Sequence, residues 1–246
     1  MRCFECPIEC GADRSREAGA CGVGERSRVA RAALHAWEEP CISGARGSGA
    51  VFFSGCNMRC VFCQNAVISR DGGAGAAVGA AELAGIMLRL ETLGAHNINF
   101  VTPSPHVELL CESIPIARAE GLRIPVVYNT NSYEKASTLK RLEGLVDVYL
   151  PDLKYISPDL SARFSATEDY FKYASAAIEE MYRQCGALLC DDSGIARRGV
   201  LIRHMTLPRC GDDSRAILEY IVKAYGINAH VSLMSQYVPC ADAHSL

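Results

Sequence analysis

Cys56-Asn-Met-Arg-Cys60-Val-Phe-Cys63 puts three thiols on one short segment, directly after the apolar run Val51-Phe52-Phe53-Ser54-Gly55. Three thiolates under-fill a four-iron cubane, which needs four ligands, so one iron would stay open to substrate or solvent. Structural zinc sites instead close all four positions. The same spacing also admits a zinc ion completed by a distant fourth ligand, or buried thiols without metal. Position favours chemistry: the apolar run reads as a strand, and in parallel barrels the loops at the C-terminal ends of the strands build the active site.

A second group, Cys3-x2-Cys6-x3-Cys10-x10-Cys21, places four thiols in a segment too small to build a core of its own, where a bound metal would supply folding energy. Zinc is the simplest occupant; a second iron-sulfur cluster or reduced thiols packed without metal fit the same ligand count. The chain has 246 residues and 13 cysteines, an odd number, and its first thirty residues lack the apolar run of an export signal. Thiolate ligands in a reducing, cytoplasmic compartment are therefore expected, rather than a disulfide framework. Cys111, Cys185, Cys190, Cys210 and Cys240 are scattered and read as core or surface thiols. His35, His96, His106 and His244 show no ligand-like spacing.

The elements that must carry these groups begin near residue 50. Short apolar or β-branched runs predict strands over Ala50–Ser54, Ile98–Thr102, Ile124–Asn129, Val146–Leu153, Gly199–Leu207 and His230–Ser235. Helical patterns lie between them, over Ala80–Leu93, Pro105–Glu120, Tyr133–Leu142, Tyr170–Gln184 and Asp213–Tyr225, each followed by a glycine at a C-cap position. Strands joined by crossover helices run parallel with right-handed connections. The predicted fold is α/β: a partial (β/α)6 TIM-like barrel over residues 50–246, preceded by a small Cys-rich extension over residues 1–49. Only eleven residues follow Ser235, too few for a covering helix with its loop, so the domain is expected to continue, or the chain to be a fragment or to carry an atypical tail.

Composition narrows the partners. With 25 basic and 28 acidic residues, a net charge of -3 and no block of like charge, nothing electrostatic points to nucleic acid or a membrane surface. No run of about eighteen apolar residues occurs to span a bilayer. Gly44-Ala-Arg-Gly47-Ser-Gly49 precedes a strand instead of following one, so it is not read as a phosphate loop. Gly72, Gly73 and Gly75 predict a flexible connection after the cysteine loop.

The C-x3-C-x2-C loop, with Phe62 before the third cysteine, resembles the signature of radical S-adenosylmethionine (SAM) enzymes. From the N-terminal cysteines to Pro239 the chain resembles the pyruvate formate-lyase activating enzyme group. The likeness is carried by Glu38-Glu39-Pro40-Cys41-Ile42-Ser43-Gly44, Phe53-Ser54-Gly55-Cys56-Asn57, Cys63-Gln64-Asn65, Asn129-Thr130-Asn131 and Asp152-Leu153-Lys154. The resemblance implies that Cys56, Cys60 and Cys63 bind a [4Fe-4S] cluster whose open iron is chelated by the amino and carboxylate groups of SAM. One electron then cleaves the sulfonium to methionine and a 5'-deoxyadenosyl radical, which abstracts hydrogen from a substrate. No side-chain nucleophile is required.

Polar residues are expected at the same barrel mouth: Thr102 and Ser104, Asn129 and Asn131, Asp152 and Lys154, Arg203, and Gln236 and Tyr237. By the resemblance, Phe62, Asn129, Asn131, Asp152, Lys154 and Arg203 are the cofactor-binding set. Amide donors suit the ribose, and a cation suits the methionine carboxylate. Taken singly, Asp152 with Lys154 could be an ordinary ion pair and Arg203 a rim charge. The sequence departs from many activating enzymes in having Thr102-Pro103-Ser104 in place of Gly-Gly-Glu, so no carboxylate is supplied there for the methionine amine. The activity the resemblance implies is hydrogen abstraction that activates a glycyl-radical protein, with an electron donor such as flavodoxin or ferredoxin. The other readings are a radical SAM enzyme with a small-molecule substrate, a relative that keeps the cluster but no longer cleaves SAM, and a non-catalytic zinc or iron-sulfur interaction module.

Overall fold

The computed structural model describes residues 2–243; His244 lies outside them. The chain runs β1 (Arg28–His35), α1 (Pro40–Ser43), β2 (Ser48–Phe53), α2 (Ala66–Ser69), β3 (Ala76–Ala77), α3 (Ala80–Thr92), β4 (Ile98–Val101), α4 (Val107–Ala119) and β5 (Val126–Thr130). It continues with α5 (Ala136–Leu139), β6 (Val148–Pro151), α6 (Pro158–Ser165), α7 (Tyr170–Cys185), β7 (Leu189–Cys190), β8 (Ala196–Val200), β9 (Ile202–Met205), α8 (Gly211–Tyr225) and β10 (Val231–Met234).

The fold is mixed α/β with a partial parallel sheet. β2, β4, β5, β6 and β8 pair in parallel in that order. β9 resumes the path of β8 after Leu201, bridges Asp152 beside β6, and pairs in parallel with β10. These strands are buried on both faces, one under the crossover helices and the other where Val127, Val148 and Leu150 pack with Ile42 and Leu201, which is why their sequences read as nearly unbroken apolar runs. Phe100, Tyr128 and Tyr149 fill the interior without exposure. Among the described residues no helix is long and apolar enough to cross a membrane.

The sheet also extends into the N-terminal segment. β1 lies antiparallel to β2, with Val29 opposite Phe53 and His35 opposite Ser48. The boundary drawn between residues 49 and 50 therefore cuts through a strand pair. β1 escaped the sequence reading because it is a half-exposed strand carrying Arg28 and Arg31, with no clean alternation.

Two further expectations are corrected. The helix predicted from Tyr133 begins only at Ala136. Ser132 sits at φ 64, and the carboxylate of Glu134 turns inward to accept from the Tyr128 hydroxyl at 2.7 Å and from Thr130, which holds Tyr133 to Lys135 out of the helix. The glycines after the cysteine loop form close contacts instead of a flexible connection. A Cβ on Gly72 would fall 1.9 Å from the carbonyl oxygen of Gly22, and one on Gly75 would fall 2.2 Å from that of Val29.

Candidate functional site

The cysteine loop leaves the C-terminal end of β2 through Gly55, at φ 84. A Cβ there would meet the Cys21 carbonyl oxygen at 2.6 Å, so the close approach of the two backbones requires glycine. Asn57 then anchors the loop by donating to the Tyr133 carbonyl at 2.6 Å. Each sulfur has a polar neighbour. The Met58 N–H and Asn131 Nδ2 both donate to Cys56 Sγ at 3.5 Å. Ser165 Oγ donates to Cys60 Sγ at 3.0 Å, and Cys63 Sγ lies 3.3 Å from Ser69 Oγ. All three cysteines face one cavity of about 940 Å³ at the strand C-termini.

Burial raises the Cys56 thiol to about 12; the Met58 N–H opposes this, and Cys60 and Cys63 add to it. Cys60 is also raised by burial, against the pull of Lys154 and the Ser165 hydroxyl. Such buried thiols become thiolates when a cationic centre replaces the protons, and donors aimed at sulfur are the support a ligating thiolate needs. Among the described residues, no three His, Cys, Asp or Glu side chains stand at the spacing of a single-ion site. A cubane binds its ligands on separate irons and holds them farther apart than one ion does. Three supported thiols around a roomy cavity fit such a cluster.

Beside the thiols lies a buried charge network. Asp152 accepts from Lys154 Nζ at 2.6 Å and from Arg203 at 2.9 Å. Arg203 also donates to Asn129 Oδ1 at 2.6 Å and to Glu38 at 3.3 Å, with Glu39 3.9 Å away. Burial alone would raise Asp152, but Arg203 and Lys154 outweigh it and hold the carboxyl below its ordinary value. Burial would likewise lower Lys154, and Asp152 and Cys60 reverse that. Glu38 is raised, chiefly by burial, and one oxygen of Glu39 is buried without a hydrogen-bond partner.

Of the residues predicted for the site, Phe62, Asn129, Asn131, Asp152, Lys154 and Arg203 line the cavity, as do Thr102 and Gln236. Asn131 is largely committed to the loop, donating to Asn57 Oδ1 at 2.9 Å and accepting from the Tyr133 N–H at 2.8 Å. Thr102 has φ 59, an uncommon conformation for a β-branched residue. Ser104 does not line the cavity; it is buried, 3.4 Å from Thr130 Oγ1. Tyr237 is also outside the lining, with its hydroxyl donating to the Ala243 carbonyl at 3.3 Å. Glu38 and Glu39 carry no role in the sequence reading, although Glu38-Glu39-Pro40 stands in the motif; they place two carboxylates on the cavity lining.

The buried histidines serve the framework. His106 stacks on Phe53 and bonds Ser27 and the Ser54 carbonyl, and burial lowers it to about 3. His204 is held between the Leu153 carbonyl and Ser214.

The family model described as Radical SAM superfamily matches residues 50–186. The chain is 30% identical to an uncharacterized protein of Methanocaldococcus jannaschii, MJ0674, in an alignment covering 96% of this chain and 66% of that relative, just under two thirds of its length. Among solved structures, the FeFe-hydrogenase maturase HydG from Carboxydothermus hydrogenoformans superposes with a TM-score of 0.55 at 17% identity, covering 76% of this chain and 43% of that one. Streptococcus suis SuiB bound to S-adenosylmethionine gives 0.50 at 14% identity, with 76% and 40% covered. The structure described as native anSMEcpe with bound AdoMet and Kp18Cys peptide gives 0.50 at 13%, with 74% and 48% covered. The chain thus spans less than half of each solved protein, and the likeness is one of fold.

Proposed function

The chain belongs to the radical SAM superfamily, and on that premise we propose that Cys56, Cys60 and Cys63 hold a [4Fe-4S] cluster and that SAM occupies the adjoining cavity. The cluster and SAM together supply reductive cleavage of the sulfonium and a carbon-centred radical that takes hydrogen from the substrate. The protein's own residues bind, orient and exclude water. Asn131, Ser165 and Ser69 steady the three sulfurs. Arg203 and Lys154 offer cations for the methionine carboxylate, Asn129 offers an amide to the ribose, and Glu38 or Glu39 accepts from the methionine amine. Phe62 closes the apolar side of the loop.

The observation that carries this reading is the shared cavity: three donor-supported thiols and a buried network of both charge signs open onto one space. The proposed substrate is a protein or peptide, and the proposed activity is installation of a glycyl radical in a partner enzyme, with electrons from a flavodoxin or ferredoxin. One fold neighbour is described with a bound peptide, which is the support for a substrate of that class. A reducing, cytoplasmic setting suits thirteen cysteines with no disulfide.

The test is electron paramagnetic resonance of the anaerobically reconstituted, reduced protein. A signal that shifts on adding SAM supports chelation at an open iron. A signal indifferent to SAM refutes SAM binding at the cluster, and zinc without iron or sulfide refutes the cluster itself.

A further inference from the structure

The three loop sulfurs are unequally supported. Cys56 Sγ takes its two donors at 3.5 Å and Cys63 Sγ lies 3.3 Å from Ser69 Oγ, whereas Ser165 Oγ stands 3.0 Å from Cys60 Sγ. Ser165 also has a second hydroxyl behind it, since Tyr155 Oη lies 2.9 Å from its oxygen. Both residues are 1% exposed, so neither hydroxyl can exchange its partner for bulk water.

Helix α6 sets this arrangement. Ala166, at φ 54, turns the chain out of the helix immediately after Ser165. The last turn meets the cysteine loop twice: the Phe164 carbonyl accepts from the Val61 N–H at 2.9 Å, and Ser165 reaches Cys60. The Tyr155 ring is held between Phe164, with centroids 6.5 Å apart, and Tyr170, edge-on at 5.5 Å. Tyr170 is itself fixed, donating to the Asp152 carbonyl at 2.7 Å and accepting from the Lys154 N–H at 3.0 Å. Proton counting then gives the direction of the chain of bonds. A serine hydroxyl has one proton and a ligating thiolate can only accept. With the Ser165 proton on Cys60, the Ser165 oxygen is left as the acceptor and Tyr155 is the donor.

We propose that Tyr155 is a positioning residue for the cluster: its hydroxyl donates to Ser165, directs the serine proton onto Cys60 Sγ, and thereby raises the cluster's reduction potential. This rests on the cluster reading above and is independent of how SAM or substrate binds. Donors to ligating sulfurs stabilise the more negative, reduced state. A donor that itself accepts from a second hydroxyl is polarised and bonds more strongly. The segment Asp152-Leu153-Lys154-Tyr155 therefore serves the site twice, with Lys154 on the cavity lining and Tyr155 acting through Ser165.

The experiment is a reductive titration of the reconstituted full-length chain followed by electron paramagnetic resonance, with iron and sulfide counted in every sample. Ser165→Ala should make one-electron reduction roughly tenfold less favourable, a potential about 59 mV more negative, and Ser165→Thr should restore it. Tyr155→Phe keeps the ring packing and should shift reduction roughly threefold in the same direction. In the Ser165→Ala background the same change should add nothing, because the tyrosine acts through the serine. A tyrosine that only packs would lower urea stability and leave the potential alone. An unmoved potential in Ser165→Ala, or a Tyr155→Phe shift that persists undiminished in the alanine background, overturns the inference. Should Ser165→Ala take up no cluster, Tyr155→Phe decides, and an unmoved potential there overturns it equally. A wild-type chain that assembles no iron and sulfide would refute the cluster reading and this inference with it, whereas an assembled cluster with unmoved potentials would refute this inference alone.

Discussion

Asp152→Asn tests whether the charge network is an interdependent unit. The carboxylate is the partner of Lys154 at 2.6 Å and one of several for Arg203, and the three side chains are 14 to 18% exposed. Removing one member of a buried pair costs about 3 to 5 kcal/mol, because the partner is left charged and desolvated. Asparagine keeps an acceptor and Arg203 keeps Glu38, so the lower figure, about 3 kcal/mol, is expected. Lys154→Met should cost only about 1 kcal/mol, since Asp152 remains paired with Arg203. In the double variant no lysine is orphaned, and the loss should be about 2 kcal/mol instead of the additive 4. Urea denaturation of the apo protein gives all three values. Additivity within about 0.5 kcal/mol would refute the coupling and return these residues to independent rim charges.

Other consequences follow from single groups. Glu39→Gln removes a buried charge that has an unpartnered oxygen, so apo stability should hold while SAM affinity by calorimetry falls roughly tenfold; unchanged affinity would remove Glu39 from the SAM site. His106 has a folded value of about 3 against 6.5 unfolded, so the fold keeps it neutral and the unfolded chain takes up the proton. Its contribution is complete above 6.5 and is lost as pH falls toward 3. Between about pH 6 and about 4.5, wild-type protein should lose roughly 2 kcal/mol more than His106→Gln, and parallel pH profiles would contradict this. Gly72→Ala, which drives a methyl into the Gly22 carbonyl, should cost at least about 3 kcal/mol in urea denaturation. Gly94→Ala, with φ 93 and open space around it, should cost about 1 kcal/mol; equal losses would mean the Gly22 contact carries no weight.

The parallel strands were legible because burial on both faces leaves an apolar run that needs no alternation, and the helix ends were legible from glycines such as Gly186 and Gly226, both at positive φ. β1 was not, since a half-exposed antiparallel strand carrying Arg28 and Arg31 shows neither signal. The short helix α6 was also passed over, although Ser157 caps it by accepting from the Leu160 N–H and Pro158 opens it. At the site, Asp152 and Lys154 could be grouped because they follow one strand, and Arg203 because it lies on the next, Ile202–Met205. Glu38 could not, because its contact with Arg203 spans 165 residues and comes from a loop before the first barrel strand. The glycines after the cysteine loop looked like a hinge in sequence because close backbone packing and free rotation call for the same residue.

The central claim is that three sulfurs leave one iron open to SAM, and 5'-deoxyadenosine formation measures it most directly. Reconstituted wild-type protein, incubated anaerobically with a reductant and SAM, is predicted to release 5'-deoxyadenosine and methionine, and Cys60→Ala to release neither. A wild-type protein with its cluster intact that yields no deoxyadenosine, or a Cys60→Ala variant that yields as much as wild type, would contradict the account.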